Sequence, residues 1–403
     1  MAFFSASFPL WQGVKEIKYH LTPWLLLIAY FFTQEVAMAT PKRYQNTFVG
    51  VRPAAMGNAF TAVADDANAL YYNPAGLARL ETWNLDLISL IVGVNNATAF
   101  NSASVAELAQ AGKSTGGSSD PSQIIDDLRP VLNELSGENH YARIGLNPSF
   151  VMRRFGIGLY AGTELELVPH ANALPTALDV SVLTDGQARI GYAHHFFGQK
   201  LAVGATLNGY LRAEATLDDF GIFEVADAAG DSKALQEQIT KNFHSGWGVG
   251  TDLGILFTPV ELWKPTFGLV VKDIGDTNFR YYRVIKNSEY AAPPSPVRQT
   301  VNTGVSITPQ WGSYYVRPSL DFREINLPIP ASKKLGLGFE AGIKGNYLKG
   351  SVQTGLSEGY FTAGFEADLF LLALRYATYV SDRGTFPTEK PERRHVIQLK
   401  VLL

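Results

Sequence analysis

The sequence predicts an all-β protein, a transmembrane antiparallel β-barrel of about fourteen strands enclosing an N-terminal hatch. Three observations predict it. From Trp83 to the last residue, apolar and polar residues alternate with period two in segments of about ten residues, the pattern of strands rather than helices. The links between segments alternate between short and long, the asymmetry of an outer-membrane barrel. Charges within the segments keep to one phase of the alternation.

The predicted strands start near Trp83, His140, Gly156, Leu178, Leu201, Phe243, Thr266, Val297, Tyr314, Lys334, Tyr347, Tyr360, Phe370 and Arg394. Tight turns fall at Arg153 to Phe155, Gly198 to Lys200, Val260 to Lys264, Pro309 to Gly312, Gly345 to Asn346 and Leu369. Longer links lie between them, as at Asn95 to Glu138, Ala213 to Asn242 and Asp273 to Pro296, with one short exception near Ser357. Two long links carry helical patterns, Ile124 to Leu135 and Lys233 to Lys241, which would sit at the outer rim.

Alternation alone does not separate a membrane barrel from a soluble sandwich, since both bury one face. The polar phase decides. In "GIGLYAGTELEL" Ile157, Leu159, Ala161, Thr163, Leu165 and Leu167 oppose Gly156, Gly158, Tyr160, Gly162, Glu164 and Glu166. Asp252, Asp321, Glu340, Glu366 and Lys400 fall on the same phase, together with Arg189, Arg212, Lys272, Arg317 and Arg375. A charge on the lipid face at mid-depth costs about 2 to 4 kcal/mol, so these groups must face a lumen. Glycines share that phase, as small residues would where a plug presses on the wall. The first segment, "WNLDLISLIVGV", is apolar on both faces above Asp86 and has no assigned facing. The last, "HVIQLKVLL", closes on the first and removes both sheet edges. Its final Leu403 departs from the aromatic that ends most such strands.

The N-terminus reads as an export signal. Lys15 and Lys18 precede the apolar run Trp24 to Phe32, and Ala37-Met38-Ala39 supplies a cleavage pattern, so residues 1–39 form the expected signal peptide. Residues 40–82 then form the hatch and 83–403 the barrel. Past Ala39 no segment approaches the roughly 18 apolar residues of a membrane helix. Net charge is −3, which gives no reason to expect nucleic acid as a partner, and the absence of cysteine excludes disulfides and thiol chemistry.

"RPAAMGNAFTAVADDANALYYNPAGLARL", Arg52 to Leu80, is too apolar for a linker and too rich in Gly, Ala and Pro for a long surface helix. It resembles the N-terminal hatch of the FadL-like long-chain fatty acid transporters and of the related PorV-like outer-membrane proteins. In those families a Gly-x-Ala segment, an Ala-Asp-Asp-Ala step and an Asn-Pro-Ala turn precede a fourteen-stranded barrel. The resemblance implies that Asn73, Pro74, Ala75 and Gly76 form the turn docking the hatch on the wall, and that Asp65 and Asp66 face inward basic groups. It also implies a multi-pass protein of the Gram-negative outer membrane, with membrane lipid around it and hydrophobic molecules, long-chain fatty acids foremost, as its cargo. The PorV-like alternative is an adaptor that binds secreted proteins.

A plugged barrel needs a way round its plug. Asn147-Pro148 lies within the second strand, where proline forfeits a ladder hydrogen bond, and is the candidate for a bulge or lateral gap. Arg189, Arg212, Lys272, Arg317 and Arg375 could hold a carboxylate, or balance the inward acids. No enzyme, cofactor or metal site is expected. His194 and His195 are adjacent on a strand and point to opposite faces, and the run Gly248 to Gly254 has the wrong spacing for a dinucleotide loop.

Overall fold

The structure is a computed structural model and describes residues 48–101, 126, 129–131, 133–135, 137–169, 176–221, 243–283, 292–345, 348–369, 371–382 and 391–402. The expected signal peptide, the helical pattern Lys233 to Lys241 and Leu403 lie outside the described residues. Of the pattern ending at Leu135, the described positions are helical, and Leu135 is buried.

Seventeen strands form one antiparallel sheet. In chain order they are β1 (Asn84–Asn95), β2 (His140–Leu146), β3 (Ser149–Met152), β4 (Phe155–Pro169), β5 (Thr176–Phe196), β6 (Leu201–Gly221), β7 (His244–Phe257), β8 (Thr266–Lys272), β9 (Arg280–Tyr281), β10 (Thr300–Ser306), β11 (Gln310–Trp311), β12 (Tyr314–Phe322), β13 (Leu335–Lys344), β14 (Leu348–Ser357), β15 (Tyr360–Leu369), β16 (Leu372–Asp382) and β17 (Pro391–Leu402). β2 and β3 act as one strand interrupted at Asn147-Pro148, and β9 and β11 are two-residue additions, so the wall itself has fourteen strands. Sequential neighbours pair throughout, β8 pairs β10, β10 pairs β12, and β17 pairs β1. The ring therefore closes and leaves no edge, the only sheet that can lie in a bilayer.

The facing follows the sequence pattern. Ile157, Leu159, Val249, Leu253, Phe361, Phe365, Ile397 and Leu399 are exposed on the outside, while Arg189, Asp252, Asp321, Glu340 and Lys400 are buried inside. Trp263, Phe197, Trp311 and Tyr314 are exposed at the end bearing the tight turns, where an aromatic girdle meets the membrane interface. β5 and β6 have 21 residues each, about twice what a tilted strand needs to span, and so reach beyond the membrane on the long-link side.

β1 explains why its facing is not legible. Its register with β17 shifts between Asp86 and Ile88, and Leu87 and Ile88 are both exposed on the outside. Asp86 and Ser89 are both buried, so a bulge inverts the alternation in mid-strand. Two boundaries also move. The last strand begins at Pro391 rather than near Arg394. Val297 does not begin the eighth wall strand, which starts at Thr300; it makes an isolated bridge to Thr277 instead.

Residues from Phe48 to Leu80 fill the bore. Short turns of helix at Val51–Ala55 and Ala69–Tyr72 and a 3-10 segment at Pro74–Arg79 are joined by bends, and most of their side chains are buried. The main apolar cluster of the molecule joins this segment, through Phe60, Leu70 and Leu77, to Ile91, Tyr160, Ala202 and Leu256 of the wall. Short small residues are what let an irregular backbone lie close to the strands. Gly57 adopts φ +61°, which only glycine takes without strain, and its Cα faces the Leu337 and Leu356 carbonyls of β13 and β14.

Candidate functional site

The seam between hatch and wall has two chemically different halves. Toward β12–β16 it is ionic. Arg52, at 7% exposure, forms a fork on Glu340, with Nε and Nη2 each 2.8 Å from a carboxylate oxygen. Its Nη1 donates to Asp65 at 2.8 Å and Asp66 at 3.1 Å. Arg317 of β12 bridges Asp65 at 2.8 Å and Glu340 at 3.2 Å. Arg375 of β16 pairs with Glu366 of β15 at 2.8 Å and lies 4.0 Å from Asp66. Asp321 accepts from the backbone N–H groups of Phe60 and Thr61. The Asp65 carboxyl is pushed up by burial, but Arg317 and Arg52 outweigh that and hold it well below the ordinary carboxylate range.

Toward β4–β7 the seam is close-packed and, among the described residues, carries no ion pair between hatch and wall; Arg189 of β5 reaches the hatch only through the Leu70 carbonyl. Asn73 is fully buried. Its Oδ1 accepts from Ala75 N–H at 3.2 Å, and its Nδ2 donates to the Thr61 carbonyl at 2.8 Å and the Ile255 carbonyl of β7 at 3.3 Å. Pro74 opens the 3-10 segment, Ala75 and Gly76 are buried in it, and it packs on β5, β6 and β7. Gly204 and Gly254 are the wall positions beneath it. A Cβ on Gly204 would come within 2.6 Å of the Pro74 carbonyl oxygen, and one on Gly254 within 2.9 Å of the Pro74 ring. Gly248 and Gly250 are different: their neighbours are Thr277 and Phe279, because the link after β8 also folds onto the inner wall.

Asn147 and Pro148 interrupt the ladder between β2 and β3, and the register on β4 is unchanged across them: Leu146 faces Ala161 and Ser149 faces Gly158. The one-residue slip lies on the other side, in the β1 bulge. Asn147 Nδ2 donates to the Leu159 carbonyl of β4 and to Tyr71 Oη of the hatch, both at 2.8 Å. The break is thus bridged by a side chain, which also ties it to the hatch. Tyr71 stacks on Phe48 at 3.8 Å, and burial pushes its hydroxyl up to about 12.

The five inward cations have separate settings. Arg189 is fully buried and donates to Asp252 at 2.9 Å, Tyr210 Oη at 2.9 Å and the Leu70 carbonyl at 3.1 Å. Arg212 forks onto Asp185 at 2.8 Å. Arg317 and Arg375 belong to the ionic seam. Lys272 is buried near Asp252 and Asp273, and among the described residues no hydrogen bond or ion pair holds its ammonium. These cations are spread around the bore rather than gathered at one place.

Arg52, the hub of the ionic seam, and Tyr71, the partner of Asn147, were missing from the sequence-based candidates. The available signal for Arg52 was a lone cation inside a small, apolar run. His194 and His195 do not act together: His195 Nε2 lies 2.8 Å from the Ala78 carbonyl, and His194 packs edge-on against Phe196. Among the described residues no group of His, Asp or Glu is arranged to hold a metal ion.

Fold and seam define the class: a transmembrane β-barrel whose bore is stoppered by its own N-terminal segment. No family model and no curated protein matches the chain. Among solved structures it is similar to a TodX deletion mutant described as a monoaromatic hydrocarbon channel, at 13% identity over 88% of this chain and 98% of that one, TM-score 0.51. The Pseudomonas putida toluene transporter TodX aligns at 12% identity over 88% of this chain and 97% of that one, TM-score 0.49. A Pseudomonas aeruginosa FadL homologue aligns at 9% identity over 88% and 98%, TM-score 0.34. At these identities the likeness is one of fold, and the first carries it: the chain has the barrel fold of that TodX channel.

Proposed function

We propose that this chain is an outer-membrane channel of a Gram-negative cell that takes up hydrophobic molecules, passing them round the hatch and out sideways at Asn147-Pro148. The observation that carries the reading is the Asn147 amide, which bridges the interrupted strand and holds hatch residue Tyr71 with the same group. Movement of the hatch at Tyr71 would break the Asn147–Tyr71 bond and leave the single Asn147–Leu159 bond bridging the wall where proline already leaves the ladder incomplete. Among the described residues, the stretch from Phe48 to Leu80 fills the bore.

The cargo divides into two chemical classes. Arg189, Arg212, Arg317 and Arg375 already hold carboxylates of the protein, which favours uncharged hydrocarbons of the kind named for TodX. Long-chain fatty acids remain the cargo suggested by the hatch motif, and Lys272 is the cation that would meet their carboxylate. Uptake of radiolabelled toluene and oleate by cells that make or lack the protein tests the reading. Faster entry of either supports it and names the class; equal entry of both overturns it. Copurification of an exported protein without any uptake would instead support the adaptor.

A further inference from the structure

The outer wall carries a feature that uptake through the bore does not use. Across β4, β5 and β6 the outward positions Ala161, Gly186, Ala188 and Gly209 adjoin one another, since Ala161 faces Gly186 and Ala188 faces Gly209 in the ladder. Elsewhere on the belt Leu, Ile, Val and Phe alternate with small residues such as Ala205, Ala341 and Ala363, and Gly350 adjoins Ala367; here four small residues adjoin one another. The small residues floor an almost wholly apolar groove of about 550 Å³, walled by Leu146, Leu159, Leu211, Trp247 and Val249. Packing does not demand glycine here. A Cβ on Gly209 would meet nothing nearer than 3.8 Å, and one on Gly186 nothing nearer than 3.6 Å, and neither has a positive φ. The floor is empty on the outside, not crowded from within.

The groove's level in the membrane follows from β7. That strand descends from a long outer link to the tight turn after Phe257, and Trp247 is near its upper end, where indole favours the interface. Trp247 faces Arg280 of β9 in the ladder, so the two side chains share the outer face, and the guanidinium stands 5.4 Å from the ring. Arg280 is exposed, and among the described residues no acceptor or carboxylate engages it. An unpaired cation facing lipid is tolerated only at headgroup depth. The groove therefore lies in the outer leaflet, with a cation above an acyl-sized trough.

We propose that this groove and Arg280 form a binding site for the acylated, phosphorylated glycolipid of the outer leaflet, lipopolysaccharide. One acyl chain lies on Ala188 and Gly209, and a phosphate sits against Arg280, where a charge-assisted contact is strong. The site rests on the outer-membrane location and not on the identity of the cargo; because Pro148 also lines the groove, solute leaving at the interrupted strand is the competing occupant that the experiment must separate from glycolipid.

The experiment purifies the full chain from outer membranes in mild detergent and measures retained lipid by native mass spectrometry, with 3-hydroxy fatty acids and phosphate quantified. The variants are Ala188→Leu and Gly209→Leu, which fill the trough, and Arg280→Ala, which removes the cation. Heat-modifiable gel migration confirms a folded barrel in each. The wild type should retain glycolipid, and loss of one charged contact in Arg280→Ala should lower retention about tenfold. Both filling variants should lower it further. Retention unchanged in all three overturns the proposal, as does a groove that holds phospholipid or the transported solute in place of glycolipid. Uptake is measured on the same variants: lost uptake with unchanged glycolipid assigns the groove to the solute and overturns the proposal. Absent uptake in the wild type, with groove-dependent glycolipid, removes the transport reading and leaves this one standing.

Discussion

The two halves of the hatch seam hold the same segment by opposite means. Against β12–β16, Arg52, Asp65, Asp66, Arg317 and Glu340 form an ionic network, buried at Arg52, Arg317 and Glu340, in which every member but Asp66 has more than one partner within it. Against β4–β7 and the break between β2 and β3, the fit is made by glycines under Pro74, by the Asn73 amide, by the Arg189–Leu70 bond and by the Tyr71–Asn147 bond. The ionic half costs a great deal to break, because separating its members leaves unpaired charges in the bore. The other half comes apart with the loss of apolar packing and a few hydrogen bonds, and its one cation, Arg189, keeps Asp252 as its partner. A hatch so held would pivot on its ionic side and open on the other, which is also the side of the interrupted strand.

The largest effect is expected from removing the hub. Arg52→Met leaves Asp65, Asp66 and Glu340 without their common partner, a loss on the order of 3 to 5 kcal/mol for a broken buried pair. Both halves of the seam should loosen, giving open-channel conductance in planar bilayers and protease access at Arg52 to Arg79. A variant as tightly sealed as the wild type would remove the ionic half from the comparison. Gly204→Val comes next, since its added atoms meet the Pro74 backbone; overpacking of this kind costs about 1 to 3 kcal/mol. It should displace the 3-10 segment alone, seen as faster amide exchange at 75–79 with slow exchange retained at 54–57.

Asn147→Ala should act more mildly and more locally. It leaves the Leu159 carbonyl and Tyr71 hydroxyl unpaired, at about 1 to 3 kcal/mol for buried polar groups. Exchange at 70–72 should rise, and entry of the hydrophobic cargo should quicken without added ion conductance. A rise in ion conductance instead would mean that the break serves the bore, not the wall.

Much of this molecule was legible in the sequence because a barrel writes its inside and outside on alternate residues. Glu340, Asp252 and Arg189 could be placed inward without coordinates, since lipid would reject them. What defeated the reading was local: a single extra residue at Leu87 and Ile88 inverts the alternation of β1, and nothing in two consecutive apolar side chains announces it. The hatch acids stood out as a pair of like charges, whereas their partner Arg52 did not. An arginine in a non-repeating segment has no periodicity to betray its direction, and its acceptor Glu340 lies 288 positions away. The outer groove was hidden for a third reason: it is made of what is missing, small residues on a face where any apolar residue is acceptable.

The smallest expected effect is that of pH, and it sharpens the contrast by its absence. Burial raises the Asp65 carboxyl, but Arg317 and Arg52 depress it further, so its folded value lies well below the unfolded value of about 3.9. A group depressed in this way contributes its stability above the unfolded value and loses it only as pH falls through the folded one. Between pH 7 and about 4 the Asp65 contacts should therefore stay ionised. Bilayer recordings stepped through that range should show no opening that Asp65 controls, so that wild type and Asn147→Ala respond alike. Opening near pH 5 would place the weak point of the seam among its charges and reverse the division of labour between its two halves.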